Sequence, residues 1–309
     1  MAFTAADVKT LREMTGCGMM DCKKALVEND GDMDKSVEWL REKGLAASQK
    51  KAGRIAADGM AYAAVIDGVG VVVEVNSETD FVSKGEKFVE FTKGVAATVA
   101  KENPADLEAL MAAKYMGTEL TVEQQQQEMV LTIGENIKVR RFARYAAGLN
   151  VPYVHMSGRI GVLVNMEVSA GLETNETVLE LGRDIAMQIA ALNAPYLDKT
   201  DVPAAILENE KNIMMIQINE NPKDAAKPDN IKEKMIIGKV NKYYTEVCLL
   251  QQAFVKDDSM SVEKHVAAVA KAAGGTIAIK GYTRFEKGEG IEKKQENFAD
   301  EIASMVNKK

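Results

Sequence analysis

Histidine and cysteine are scarce in this chain, and the glycine patterns that bind phosphate are missing. Its 309 residues include two histidines, His155 and His265, and three cysteines, Cys17, Cys22 and Cys248. An odd count with no Cys-x-x-Cys pair argues against a disulfide framework or a thiolate zinc site. Two histidines leave few candidates for a His-based metal site or triad. The cysteines read as small buried or partly exposed thiols in a reducing cytoplasm. No Gly-x-x-x-x-Gly-Lys-Ser/Thr, Gly-x-Gly-x-x-Gly or Gly-x-Ser-x-Gly occurs, so the chain has no phosphate cradle of its own and no nucleophile elbow. No cofactor and no direct nucleotide binding are expected. No apolar run is long enough to span a bilayer and no signal-peptide pattern opens the sequence, so no membrane partner is expected. Positive charge is also short, 39 Lys and Arg against 46 Asp and Glu. The net charge of -7 argues against a nucleic-acid backbone as partner. What remains is ordinary for a globular protein of about two domains, with 46% hydrophobic and 28% charged residues.

Residues 1–44 read as three short helices. Thr4-Ala5-Ala6-Asp7 is a capping-box pattern with Asp in place of Glu. Thr15-Gly16-Cys17-Gly18 ends the first helix, and Met19 to Asn29 forms the second. Met33 to Lys43 forms the third, with Val37, Trp39 and Leu40 inward and Gly44 as its stop. Met19 and Met20 are adjacent, so both cannot face one three-helix core. Either one stays available as an adaptable apolar contact or both pad the core or the linker. Leu45 to Arg54 reads as a partly helical linker whose Lys50, Lys51 and Arg54 form a solvated face.

The middle of the chain repeats itself. A shift of 91 residues places Tyr62 on Tyr153, Gly70 on Gly161 and Pro104 on Pro195. The first copy has Ala61–Ile66, a turn at Asp67-Gly68 and Val69–Val75. The second has Val151–Met156, a turn at Ser157-Gly158 and Arg159–Val168. Both are hairpin signals. Each is followed by a helix, over 86–101 and 175–192, and each half ends on a returning strand, over 137–145 and 276–285. The fold class expected is α+β: a three-helix module, then two related antiparallel sheets, each covered by helices on one face. Residues 201–248 carry Glu, Lys, Ile and Met at helical spacing, broken at Asn221-Pro222 and Lys227-Pro228. They read as an inserted helical hairpin with irregular heptads.

The stretch Asn76-Ser77-Glu78-Thr79-Asp80-Phe81-Val82 stands apart. It leaves the apolar strand Val71–Val75 and enters a helical pattern at Phe88, Phe91, Thr92 and Val95. Ser77 and Thr79 are helix caps by type, and Asp80 suits a first turn. From spacing alone the Phe81 ring belongs in the local core, although a loop aromatic beside an acid also suits a partner anchor. Position 80 shifted by 91 is Gly171, so the acid-aromatic pair belongs to one copy only and is not a demand of the shared fold.

Thr79-Asp80-Phe81-Val82 after a Glu-Val-Asn strand end resembles the signature loop of the elongation factor Ts family. Leu11-Arg12-x-x-Thr15-Gly16-x-Gly18-Met19-Met20-Asp21-Cys22-Lys23-Lys24-Ala25-Leu26 resembles its amino-terminal signature. Ile133-Gly134-Glu135-Asn136-Ile137-x-x-Arg140-Arg141, His155-x-x-x-Arg159-Ile160-Gly161 and Phe285-Glu286-x-Gly288-Glu289-Gly290-Ile291-Glu292-Lys293 are similar to further family segments, in order along the chain. Departures are Met156-Ser157, where glycine is usual, and Ala253, where proline precedes the phenylalanine.

The resemblance implies a ubiquitin-associated-type head, a coiled-coil insertion, and a guanine nucleotide exchange factor, not an enzyme. The implied partner is elongation factor Tu, contacted on its G domain and on a second domain. It further implies that the loop Thr79, Asp80, Phe81 and Val82 wedges near the partner's Mg²⁺ site, and that Leu11, Met19, Met20 and Lys23 grip a second element. Ile133, Gly134, His155 and Val255 are further implied contacts, with His155 equally readable as a satisfied histidine beside a hairpin. The implied units are 1–54 for head and linker, 55–148 for one core subdomain, 149–202 with 248–286 for the other, 203–247 for the insertion and 287–309 for a carboxy-terminal module. Two rivals stay open: an adaptor that binds ubiquitin-like partners through its head, and an enzyme using the carboxylates of Glu78 and Asp80.

Overall fold

A computed structural model of the chain describes residues 3–292. Residues 293–309, most of the expected carboxy-terminal module 287–309, lie outside the described residues. The head is α1 (Ala5–Thr15), α2 (Met19–Glu28) and α3 (Met33–Lys51). Thr4 caps α1 as expected, with its hydroxyl and the Asp7 carboxylate satisfying each other's backbone N–H groups. Leu11, Cys22, Ala25, Leu26 and Leu40 fill a small core.

The third helix departs from expectation. It passes through Gly44 without breaking and continues to Lys51. Gly44 is buried, and a Cβ there would sit 3.3 Å from the carbonyl oxygen of Gln127. Its missing side chain therefore serves a close helix crossing, not a helix stop. Lys51 is half-buried and donates to the Val130 carbonyl at 3.4 Å, so it is not part of a solvated face.

The first half follows as β1 (Asp58–Ile66), β2 (Val69–Ser77), α4 (Asp80–Ser83), α5 (Glu86–Glu102), α6 (Leu107–Ala112), α7 (Val122–Ile133) and β3 (Lys138–Tyr145). Its sheet has the order β1-β2-β3, antiparallel throughout. The helix α7 is the one that packs against α3 through Gly44. Alternation on β2 sends Val71, Val73 and Val75 to the helices, where they meet Phe88, Phe91, Val95 and Val99 of α5. Burying a side chain such as Phe88 stabilises by about 1.5–3 kcal/mol.

The second half is β4 (Leu149–His155), β5 (Ile160–Val168), α8 (Glu176–Leu192), α9 (Ala204–Glu220), α10 (Pro222–Ala225), α11 (Asp229–Val247), β6 (Ala253–Phe254), β7 (Asp257–Ser261), α12 (Val262–Ala273) and β8 (Ile277–Glu286). Its sheet, β4-β5-β8, copies the first. Each sheet carries a bulge in its central strand pairing, at Glu74/Val75 and at Asn165/Met166. The two bulges are 91 residues apart, so the repeat extends to an irregularity no composition signal reveals. The β4–β5 connection spans 156–159, with left-handed φ of 47°, 52° and 96° at Met156, Ser157 and Gly158. Met156 is thus a turn residue and not the end of a strand.

The faces of the two sheets away from their helices pack on each other. Ala61, Ala63 and Val72 of the first sheet meet Leu163 and Phe285 of the second. The layers are helices, sheet, sheet, helices. The inserted segment is an antiparallel pair, α9 and α11, joined by the one-turn α10, with Met214, Ile218 and Val240 buried.

Candidate functional site

The stretch after β2 forms its own turn of helix before α5 begins. Thr79 is the N-cap of α4, and its hydroxyl accepts from the Val82 N–H at 3.5 Å. Ser77 is buried and donates to the Thr79 carbonyl at 3.0 Å. Asp80 sits in the first turn, where the helix N-terminus favours an acid. It pairs with Lys84 at 2.6 Å, and that hydrogen bond raises the Lys84 pKa.

The turn is fixed from outside its own sequence. The Glu135 carboxylate accepts the N–H groups of Glu78 and Thr79, each at 3.0 Å, and the Thr79 hydroxyl at 2.6 Å. In return the Glu78 carboxylate accepts the N–H of Asn136 at 2.7 Å. Glu135 is held in place because Gly134, at φ 88°, ends α7 in the left-handed region and turns the chain back toward β3. At the other end of α4, the Ser83 hydroxyl lies 2.9 Å from Oδ1 of Asp58. Burial pushes the Asp58 carboxyl up, but hydrogen bonds from Lys287, the Gly59 amide and Ser83 outweigh it and the net shift is downward.

Held at both ends, the turn presents Phe81 to solvent at 86% relative exposure. The expectation from spacing that this ring would bury itself does not hold. Val82, next to it, is half-buried and packs on the α5 core. Thr79–Val82 is therefore an aromatic standing out from a stiff base.

The head carries a second apolar feature. Met19 and Met20 are exposed at 57% and 74%, and Lys23 is exposed beside them. Both methionines face out, where the sequence required only one to do so. Leu11 corrects its expectation as a gripping residue. It is fully buried, because α1 turns its Val8–Leu11 face onto α2 and α3. The Lys87 ammonium, at the start of α5, donates to the Gly16 carbonyl at 3.3 Å. This joins the head, three residues before Met19, to the helix that follows the Phe81 turn.

The remaining positions are spread over the structure. Ile133 is half-buried at the end of α7, and Gly134 is exposed beside Glu135. His155 ends β4, with its Nδ1 2.9 Å from the Tyr153 hydroxyl, and is half-buried. Val255 is 53% exposed on a loop whose backbone N–H donates to the buried Gln188 side chain at 2.9 Å. Lys256, the next residue, pairs with Asp184 one helical turn before Gln188. Sequence reasoning missed Glu135, Glu78, Asp58 and Gln188 as holders of these positions. Their partners lie 25 to 229 residues away in sequence, so no local spacing marks them.

The same geometry separates the two carboxylates a hydrolytic reading would pair. Glu78 turns toward Asn136 and Asp80 toward Lys84. Among the described residues no cluster of three His, Cys, Asp or Glu is placed to hold a metal, and no helix is long and apolar enough to cross a membrane.

Comparison with known proteins bears on this arrangement. A family model described as Elongation factor TS matches residues 78–289. The chain is 48% identical over 308 residues to Elongation factor Ts of Syntrophotalea carbinolica, covering 99% of this chain and 100% of that one. It is 46% identical over 315 residues to that of Trichlorobacter lovleyi, covering 100% of both. Against that of Clostridium perfringens it is 48% identical over 310 residues, covering 99% of both.

Proposed function

The chain belongs to the elongation factor Ts family, the nucleotide exchange factors of elongation factor Tu, and from that premise we propose how its residues act. The protein binds the factor Tu·GDP complex, speeds GDP release and leaves as GTP rebinds. No covalent bond changes. A partner that binds the empty form more tightly than the GDP form must weaken GDP by the same factor.

The Phe81 ring acts as the wedge, entering between elements of the partner's G domain beside its Mg²⁺ site. Asp80 holds the turn and brings negative charge toward that cation. Losing the metal strips the GDP phosphates of their largest counter-charge. Met19, Met20 and Lys23 dock a second element of the G domain. Ile133 and Gly134 border the turn, and His155 and Val255 are further contacts with the partner. In this reading residues 1–54 are the docking head, 55–148 the subdomain bearing the wedge, and 149–202 with 248–286 its companion, carrying the insertion 203–247. Residues 287–309 form the carboxy-terminal module.

The observation that supports this most directly is the 86% exposure of Phe81 on a turn braced by Glu135. An aromatic left in water on a rigid base is a pre-organised anchor, which spares the ordering cost of binding. The test is stopped-flow release of a fluorescent GDP from elongation factor Tu with increasing amounts of this protein. Release accelerating to a saturating rate is expected. A rate independent of added protein overturns the reading.

A further inference from the structure

We propose that the turn Lys287–Gly290, which follows β8, is a latch that positions the Phe81 turn, with Lys287 and Asp58 as positioning residues for nucleotide exchange. The proposal rests on the wedge reading above and names what sets the wedge's angle.

The contacts converge on one oxygen. Oδ1 of Asp58 receives the Lys287 ammonium at 2.6 Å, the Ser83 hydroxyl at 2.9 Å and the Gly59 N–H at 2.7 Å. Ser83 is the last residue of α4 and is buried, two positions after Phe81. Its hydroxyl lies within reach of both Asp58 and the Asp80 carbonyl, at 3.1 Å. Asp58 thus joins the first strand, the wedge turn and the end of the last strand, and Lys287 reaches it across 229 residues of sequence.

The turn bearing Lys287 is itself tightly seated. Gly288 has φ 72°, and a Cβ there would lie 2.0 Å from the Ala57 carbonyl oxygen, so only glycine fits against the residue preceding Asp58. The Gly288 N–H donates at 2.8 Å to Glu74, whose side chain is fully buried between the sheets. Glu74 is also held by Arg140 and Arg141. The bulge makes this possible: Arg140 is the extra residue opposite Glu74/Val75, so two consecutive arginines reach one carboxylate. Arg141 pairs onward with Glu289 at 3.0 Å, and the Lys287 N–H donates to the Arg159 carbonyl at 2.9 Å. A turn fixed this firmly is a fulcrum. From it the Lys287 side chain reaches Asp58 at the base of the wedge.

The test uses Lys287→Met, which removes the ammonium and keeps the stem, and Lys287→Arg, which restores a cation. Amide hydrogen exchange of the free protein reads the turn directly. In Lys287→Met, protection at Ser83 and Lys84 is expected to fall about tenfold with β2 unchanged, and Lys287→Arg to recover most of it. Unchanged protection overturns the latch whatever the exchange assay shows. With elongation factor Tu, Lys287→Met is expected to lower the saturating GDP-release rate several-fold while the half-saturating concentration moves less than twofold. In a Phe81→Ala background the same substitution is expected to have no further effect, since it acts through the ring. An equal loss in both backgrounds overturns the proposal, whereas a Phe81→Ala protein that releases GDP at the normal rate overturns the wedge reading instead.

Discussion

Glu78 and Glu135 brace each other's backbones across 57 residues of sequence. Glu135 accepts the N–H of Glu78, and Glu78 accepts the N–H of Asn136, the residue after Glu135. Two acids thus sit close together without repelling apart, because each faces backbone donors and not the other's oxygens. The result is a stiff platform two residues before the exposed Phe81 ring.

Phe81→Ala is expected to leave the melting temperature nearly unchanged, since a ring this exposed contributes little to the core. A well-packed aromatic anchor at a hot spot contributes more than about 2 kcal/mol. If that loss falls on the transition state for release, GDP leaves about thirtyfold more slowly. Stopped-flow release with a thermal melt checks both. A normal saturating rate with weakened binding reassigns Phe81 to docking alone.

Met19→Ala combined with Met20→Ala is expected to weaken partner binding with little loss of stability, because both side chains are solvent-facing. Truncation of buried methionines costs about 2–5 kcal/mol of folding, and no loss of that size is expected here. Calorimetric titration against factor Tu and a urea melt give the two numbers. A sharp stability loss with unchanged affinity would place the methionines in the core.

Glu135→Ala removes the acceptor of three donors on Glu78 and Thr79. Hydrogen bonds to a charged group contribute about 1.5–3 kcal/mol each when buried, and less here because Thr79 is exposed and water replaces the acceptor. A melting temperature lower by a few degrees is expected, with a several-fold slower release if Phe81 acts as proposed, since its turn loses its base. Release as fast as wild type at saturation would show that the platform is dispensable.

Asp58 has its pKa lowered from the ordinary 3.8. A depressed carboxyl contributes stability that is present above its unfolded pKa and lost as pH falls through the folded value. Asp58→Asn is therefore expected to destabilise at pH 7, and the gap from wild type to narrow as pH falls below about 4. Urea unfolding at pH 7 and pH 3 measures it. A gap of equal size at both values would show that Asp58 acts by packing and not by charge.

The sequence by itself determined both hairpins, the helix after each, the returning strands and the repeat. Apolar spacing placed both hairpins, the helices after them and the returning strands, because period 2 and period 3.6 are local properties of side-chain direction. The absence of an acid-aromatic pair in the second copy marked Phe81 as free of the fold's demands, and its exposure agrees. Adjacent methionines after a glycine left an outward contact open, and the tertiary structure exposes both. Tertiary structure decided what local pattern cannot express. Gly44 reads as a stop from its own neighbours, but α7 makes it a contact point between helices. Leu11 lies in a motif that resembles a docking signature, yet three helices close around it. The bare sheet faces become a second core only once the two halves stack. Glu135, Asp58 and Lys287 gain their roles from partners 25 to 229 residues away. Long-range contacts of that kind depend on how the whole chain closes, and no window of sequence contains both ends of them.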